Sequence, residues 1–350
     1  MLGINRSAAS AVWTAALIVL LVGLVYLVRR TLFVFVLAVL FAYLLTPLVN
    51  LLDRFLPVRR TRTLALALAY VIVLGLVVLL GIQIGSRVVE QANHLARDFP
   101  DMIARWQTPS AVAPPWFNNV KAQVVERIRI AVTERAPDLI STVAEAGLKF
   151  ITVASYLIYL VVIPVLAFLF LKDGHAIRQH FLEMLDESPR RALVDDVLAD
   201  INILLAHYMR ALVVLTLATF TAYSVFFSIL GVRYGVLLAA LGGLLEFIPT
   251  LGPLAAGIFI VLVAAVTGSH TLTVVVFLVA YRALQDYIVY PHLMQRGVAV
   301  HPLFALFGVF AGAEVAGIPG AFLSVPALAM VRILYLRIRK ARLHLAVPKP

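Results

Sequence analysis

The chain has 350 residues, 63% of them hydrophobic and 13% charged, with a formal net charge of +11 and no cysteine. Its mean hydropathy is +1.00, and a soluble domain carries roughly a quarter charged residues, so one water-soluble core cannot hide this much apolar surface and a bilayer is the expected solvent. Disulfides, thiolate metal sites and cysteine nucleophiles are excluded, and so is a nucleic-acid surface, because the basic residues sit in short loops beside apolar runs and in the tail, without interleaved aromatics.

Crossing the hydrocarbon takes roughly 20 apolar residues as a helix. Residues 1–86 are expected to hold N-terminal transmembrane helices, with uncharged runs at Thr14–Val28 (reaching upstream to Ala8), Thr31–Leu52 and Thr63–Ser86. The first run has no small-x-small cleavage site and turns at Arg29-Arg30 into the next, so it reads as an uncleaved span. Residues 87–149 change character. They are mixed in charge, interrupted by Pro100, Pro109 and Pro114-Pro115, and apolar at helical spacing. Val88, Ala92, Leu95 and Phe99, continued by Met102, Ile103 and Trp106, make one stripe; Val120, Val124, Ile128 and Val132 make another. These predict amphipathic helices of an extramembrane or interface-lying domain.

Residues 150–171 form a further span, Phe150–Leu171. Residues 172–210 read as cytoplasmic amphipathic helices with Ile177, Phe181, Leu185, Leu193, Val197 and Ile201 as the apolar stripe. Asp195, Asp196 and Asp200 lie here without a histidine or further carboxylate at ligand spacing, so they predict a solvated helix face and no metal site. Residues 211–332 are the expected C-terminal transmembrane core, opening with Ala211–Val232, and residues 333–350 a basic tail. Arg54, Arg59, Arg60 and Arg62 lie between the second and third spans, and Arg332, Arg337, Arg339, Lys340, Arg342 and Lys349 follow the last. The positive-inside rule places both groups, and both termini, in the cytoplasm, with 87–149 outside; Arg29-Arg30 runs mildly against it.

The chemistry is expected in the C-terminal core. Tyr234 to Tyr281 contains one formally charged residue, Glu246, and Gly297 to Val331 one, Glu314. Each stretch is too long for one span and each carries helix breakers just after its carboxylate: Pro249, Gly252 and Pro253 in the first, Gly317, Pro319 and Gly320 in the second. A helix broken inside a membrane frees backbone groups that only protein or a wet cavity satisfies. The C-terminal ends of its half-helices and the freed carbonyls favour cations, and Glu246 and Glu314 fall near such ends, so both carboxylates are candidates to bind a cation or shuttle a proton. A turn at the membrane surface has the same composition, and both readings stand. Gly317 to Gly320 suits a re-entrant hairpin. Gln285 and Asp286, at the end of the span Thr271–Tyr290, join the candidate pathway; Asp286 also has Arg282 four residues before it, the spacing of a structural ion pair. His292 and His301 read as loop histidines. Gly308, Gly312, Ala316 and Gly320 recur at four-residue spacing, which predicts close helix packing within or between protomers.

Metalloprotease, nucleophile-elbow, P-loop and dinucleotide signatures are missing from the sequence. The expectation is therefore a protein that is not an enzyme, uses no cofactor, and transports, if it transports, by a secondary or channel-like route.

The motifs Glu246 through Pro253 and Gln285 through Pro326, the latter with Gly297–Pro302, Gly312–Gly320 and Ser324-Val325-Pro326, resemble the AI-2E transporter family, the autoinducer-2 exporter group that includes PerM-like permeases. Ala42–Leu48 and Phe170–Gly174 are similar to the family's pattern as well. This resemblance implies an all-α, polytopic bacterial inner-membrane protein of about eight membrane segments with broken or re-entrant helices. It further implies a homo-oligomer that exports autoinducer-2 or, in some members, exchanges sodium or lithium for protons. The leading expectation is export of a small polar solute. An antiporter using Glu246, Glu314 and Asp286 is the alternative, and a non-transporting membrane scaffold that binds partners through 87–149 is a third.

Overall fold

A computed structural model describes residues 6–55, 62–107, 122–123, 126, 154–185, 189–268, 270–289, 292 and 301–346. Among these residues the fold is all-helical. The elements are α1 (Arg6–Leu27), α2 (Arg29–Phe55), α3 (Arg62–Gln107), α4 (Ala154–Glu183), α5 (Pro189–Ile229), α6 (Gly235–Leu245), α7 (Leu251–Thr267), α8 (Thr271–Leu284) with a π-helical turn at Gln285–Val289, and α9 (Pro302–Ala346). Among the described residues, five helices are by length and composition long and apolar enough to cross a membrane: Arg29–Phe55, Thr63–Asp98, Arg190–Ile229, Thr271–Val289 and Leu303–Ala341. Val12–Leu27, Gly235–Leu245 and Leu251–Thr267 are shorter apolar helices. Large side chains such as Leu20, Leu27, Val71 and Val276 stand exposed on them, as lipid-facing residues do when the solvent is hydrocarbon.

The chain divides into two compact units, Met1–Leu66 with Val153–Arg178, and Ala67–Thr152 with Gln179–Pro350. In the first, Ala38 and Ala42 of α2 and Ala167 of α4 are buried against one another, with Phe41, Ile163, Leu166 and Phe170 around them. Small residues let the two backbones approach closely, and Phe35 closes the contact edge-on against Phe170, ring centroids 6.1 Å apart.

The second unit holds the larger core. Tyr223 and Phe227 of α5, Leu238 and Ala239 of α6, Ala256, Ile260 and Val263 of α7, and Val274 and Leu278 of α8 pack together. Leu95 and Met102 of α3 join them. The helix α3 does not stop at Ser86 but continues to Gln107, so the stripe Val88, Ala92, Leu95, Met102 continues a span, and its buried members face protein. Its polar residues serve α6: Gln91 Oε1 accepts the Leu237 backbone N–H at 2.9 Å, and Asp98 accepts the Tyr234 hydroxyl at 2.7 Å. The first N–H groups of a helix have no partner within it, and here a side chain from another helix supplies one. The second stripe, Val120 to Val132, lies outside the described residues.

Both expected breaks are present. After α6 the backbone tightens, Phe247 and Ile248 donating to the carbonyls of Leu244 and Leu245 three residues back. Pro249 has no N–H with which to extend the ladder, and Thr250 turns the chain at φ 67, ψ −56. The Leu251 N–H then returns to the Pro249 carbonyl at 2.7 Å, closing a γ-turn of the strained, positive-φ hand. Gly252 follows where a Cβ would collide with the Leu245 carbonyl, so only glycine fits. In α9 the break falls at Ala316 (φ −139, ψ 17) and Gly317 (φ 65, ψ −147). A Cβ on Gly312 would strike the Gly320 carbonyl, one on Gly320 the Gly312 carbonyl, and one on Gly308 the side chain of Leu328. Residues twenty apart lie about 30 Å apart on a straight helix, so α9 is a tight helical hairpin whose arms meet along the Gly308, Gly312, Gly320 stripe. The small-residue spacing is thus packing within the protomer.

Candidate functional site

Glu246 caps the C-terminal end of α6, directly after its last helical residue Leu245, and is 7% exposed. It can be buried there because α5 lies unusually close to α6. A Cβ on Gly242 would overlap the Tyr223 ring, and one on Gly243 would sit 3.1 Å from the Thr216 carbonyl and 3.2 Å from Phe220 Cβ. Glycine at these two positions brings the helix backbones together and sets Thr219 against the carboxylate.

A closed polar cluster results. Thr219 Oγ1 donates to Glu246 Oε1 at 3.0 Å, and Gln285 Nε2 donates to the same oxygen at 3.1 Å. Gln285 Nε2 also reaches Thr219 Oγ1 at 3.0 Å, and Tyr281 OH lies 3.0 Å from Thr219 Oγ1. The threonine hydroxyl has one proton to give. That proton goes to Glu246, so Tyr281 is the donor to Thr219. The hydroxyl is then saturated, with one bond given and two accepted, and the chain of donors Tyr281–Thr219–Glu246 runs toward the carboxylate.

The cluster joins α5, α6 and α8. Tyr281 and Gln285 are four apart and share a face of α8. Gln285 opens the π-helical turn, an irregularity that often marks functional sites. Aromatic rings wall one side: Tyr223 lies 5.3 Å from Tyr281 and 5.6 Å from Phe277, and Phe226 stacks on Phe277 at 3.6 Å.

Of the residues singled out in the sequence, Glu246 and Gln285 come together directly, and Pro249, Gly252 and Pro253 form the turn and first helical residues beside them. Asp286 points elsewhere, in a two-bond fork with Arg282 at 2.9 Å on the half-exposed side of α8. Glu314 is exposed on the first arm of the hairpin and makes no hydrogen bond to the Glu246 cluster; Gly317, Pro319 and Gly320 shape the hairpin tip. What joins the two breaks is aromatic: Phe247 packs on Phe322 of the second arm at 5.9 Å, and Tyr208 of α5 donates to the Phe322 carbonyl at 3.3 Å. His292 Nδ1 lies 2.7 Å from the Ile288 carbonyl, and His301 Nδ1 accepts the Leu303 N–H. Asp196 and Asp200 differ from a merely solvated face, since both bind Arg337 of α9. No group of residues suited to hold a metal occurs among the described residues.

Sequence reading missed Thr219 and Tyr281. Thr219 sits inside an apolar run, where a threonine reads as a spacer; Tyr281 carries the only available signal, its spacing of four from Gln285.

The model of the AI-2E family transporters matches residues 15–340, almost the whole chain, both breaks and the full Glu246 cluster included. The chain belongs to this family. Family relatives include YueF of Bacillus subtilis (strain 168), 24% identical over 85% of this chain and 81% of that protein. MT0215 of Mycobacterium tuberculosis (strain CDC 1551 / Oshkosh) is 27% identical over 84% of this chain and 79% of its own length. PerM of Escherichia coli (strain K12) is 24% identical over 91% of each. All three are provisionally named, the first two as transport proteins and PerM as a permease.

Proposed function

We propose that this AI-2E family protein is a secondary transporter that exports a small polar solute of the autoinducer-2 type, and that the solute passes the Glu246 cluster between α5, α6 and α8. The observation that carries this reading is a carboxylate buried at a helix break and held by side chains of two other helices, Thr219 of α5 and Gln285 at the end of α8. An ionisable residue within apolar membrane helices is expensive, and such residues mark substrate and ion pathways. The cluster also offers what a hydroxylated solute needs, namely an acceptor in Glu246 and an amide in Gln285, both positioned by the Thr219 and Tyr281 hydroxyls.

The second reading, exchange of sodium or lithium for protons, is favoured by Glu246 as well, the carboxylate buried among the described residues. Asp286 is already neutralised by Arg282 and Glu314 is exposed, so an antiporter would rest on Glu246 alone. Either activity fits a multi-pass protein of the bacterial inner membrane with cytoplasmic termini, working as a homo-oligomer. The scaffold reading would rest on residues 87–149, most of which lie outside the described residues.

Proteoliposome flux separates the two. Autoinducer-2 efflux without ion exchange, weakened at least tenfold by Glu246→Gln, supports the exporter. A sodium- or lithium-driven pH change abolished by Glu246→Gln supports the antiporter. Absence of both from the wild-type protein rejects transport by this chain alone.

A further inference from the structure

Helical threonines usually return the side-chain hydroxyl to their own helix, bonding a carbonyl three or four residues back. This chain does so where nothing else is asked of the residue. Thr46 donates to the Ala42 carbonyl at 2.9 Å, and Thr267 to the Val263 carbonyl at 2.8 Å. Two threonines on the inner face of α5 behave differently. Thr219 gives its proton to Glu246. Thr216, one turn away on the same face, has a buried Oγ1 with no hydrogen-bond partner among the described residues.

The position of Thr216 is defined by its neighbours. Helices α5 and α6 run antiparallel, since Phe227 meets Gly235 while Thr216 and Phe220 meet Gly243. Moving from Thr219 to Thr216 therefore moves toward the end of α6 that carries Glu246 and its break. The Thr216 carbonyl lies against Gly243, whose own carbonyl accepts the Glu246 N–H at 3.3 Å. A buried hydroxyl without a partner forfeits the bonds it had in water, and such groups are rare in folded proteins. At this place one stands a single turn from Thr219 and the Glu246 cluster.

We infer that Thr216 is a solute-contacting residue of the Glu246 site: its hydroxyl bonds an oxygen-bearing group of the solute as that solute passes the α5–α6 break. The inference rests on the proposed transport reading and adds a specificity-determining residue to it. Because the Thr216 hydroxyl makes no hydrogen bond among the described residues, removing it takes no such bond from the folded state. That sets it apart from Thr219, whose loss strips a donor from Glu246. Ser224, on α5 about 12 Å farther along the helix from Thr216, has an equally unpartnered hydroxyl and is the internal control.

The test compares wild type, Thr216→Val, Thr216→Ser and Ser224→Ala in proteoliposomes. Autoinducer-2 efflux is measured across concentrations, sodium- and lithium-driven pH change is measured in parallel, and unfolding midpoints are taken in detergent. Thr216→Val is expected to raise the half-saturating solute concentration about tenfold, the size of one hydrogen bond to a ligand. Its unfolding midpoint should not fall, Thr216→Ser should restore saturation, and Ser224→Ala should match wild type. Unchanged saturation in Thr216→Val overturns the inference while leaving the exporter reading intact. So does a loss that Ser224→Ala reproduces, or one that tracks a lowered midpoint. A Thr216→Val effect on ion exchange alone replaces the solute contact with an ion contact and overturns it too. If wild type moves neither solute nor ion, the transport reading fails and this inference falls with it.

Discussion

At Thr250 a β-branched residue occupies a backbone conformation that strongly disfavours it, and at Gly252 the same turn leaves no room for any side chain. The two positions respond oppositely to substitution. Thr250→Gly removes positive-φ strain, whose cost is of order 1–3 kcal/mol, and gives back part of it as lost chain stiffness. It is expected to raise the unfolding midpoint in detergent. Gly252→Ala drives a Cβ into the Leu245 carbonyl, and overpacking of this kind costs about 1–3 kcal/mol. It is expected to lower the midpoint and, because the turn positions Glu246, to slow transport as well. A lower midpoint for Thr250→Gly would show that its threonine is held by contacts worth more than the strain.

At the scale of elements, the hairpin in α9 is made by the absence of side chains. Gly312 and Gly320 place each other's carbonyls where a Cβ would stand, and Gly308 admits Leu328. Gly312→Leu must therefore separate the arms. The second arm carries Phe322, which meets both Phe247 at the first break and Tyr208 of α5. Prying the arms apart is expected to lower the unfolding midpoint and to reduce flux together. Gly257→Ala in α7, where a Cβ meets nothing within 4 Å, should do neither. A hairpin that tolerates Gly312→Leu would mean the arms are held elsewhere. The helices α5 and α6 repeat the device with Gly242 and Gly243, and there close approach delivers Thr219 to Glu246.

At the scale of the molecule, charge is sorted by position along the helices. The helix α5 is 41 residues long, about twice what one crossing takes, and its charged first half, Pro189–Arg210, precedes the apolar run just as the basic end of α9 around Arg337 follows the apolar run that closes at Val331. There Arg337 Nε and one terminal nitrogen grip Asp200 at 2.7 and 2.9 Å, and the other terminal nitrogen reaches Asp196 at 2.6 Å. The Arg337 hydrogen bond holds the Asp200 carboxyl below its usual value, with burial opposing. A carboxylate whose pKa is lowered in the folded state binds more protons unfolded. Its stabilisation is therefore full above the unfolded value and is lost as pH falls through the folded one. Thermal unfolding in detergent should fall in midpoint as pH drops below about 4, and Asp200→Asn should remove that part of the slope. An identical slope in Asp200→Asn would assign the acid sensitivity to other carboxylates.

Much of this was legible in the sequence because hydrophobicity and backbone chemistry are local. Runs of apolar residues declare helices in lipid, and proline clustered with glycine at Pro249–Gly252 and Gly317–Pro319 declares breaks, whereas the lone Pro47, Pro164 and Pro326 stay within helices. A carboxylate in 48 residues without another formal charge, as Glu246 is between Tyr234 and Tyr281, marks itself. The tertiary structure alone decided which polar groups meet. Thr219 lies 27 residues from Glu246 and Gln285 lies 39, and nothing in their spacing chooses them over Glu314 or Asp286, which the fold directs elsewhere. That choice is made by how closely glycines let helices approach, a property of pairs of helices and not of either one's sequence.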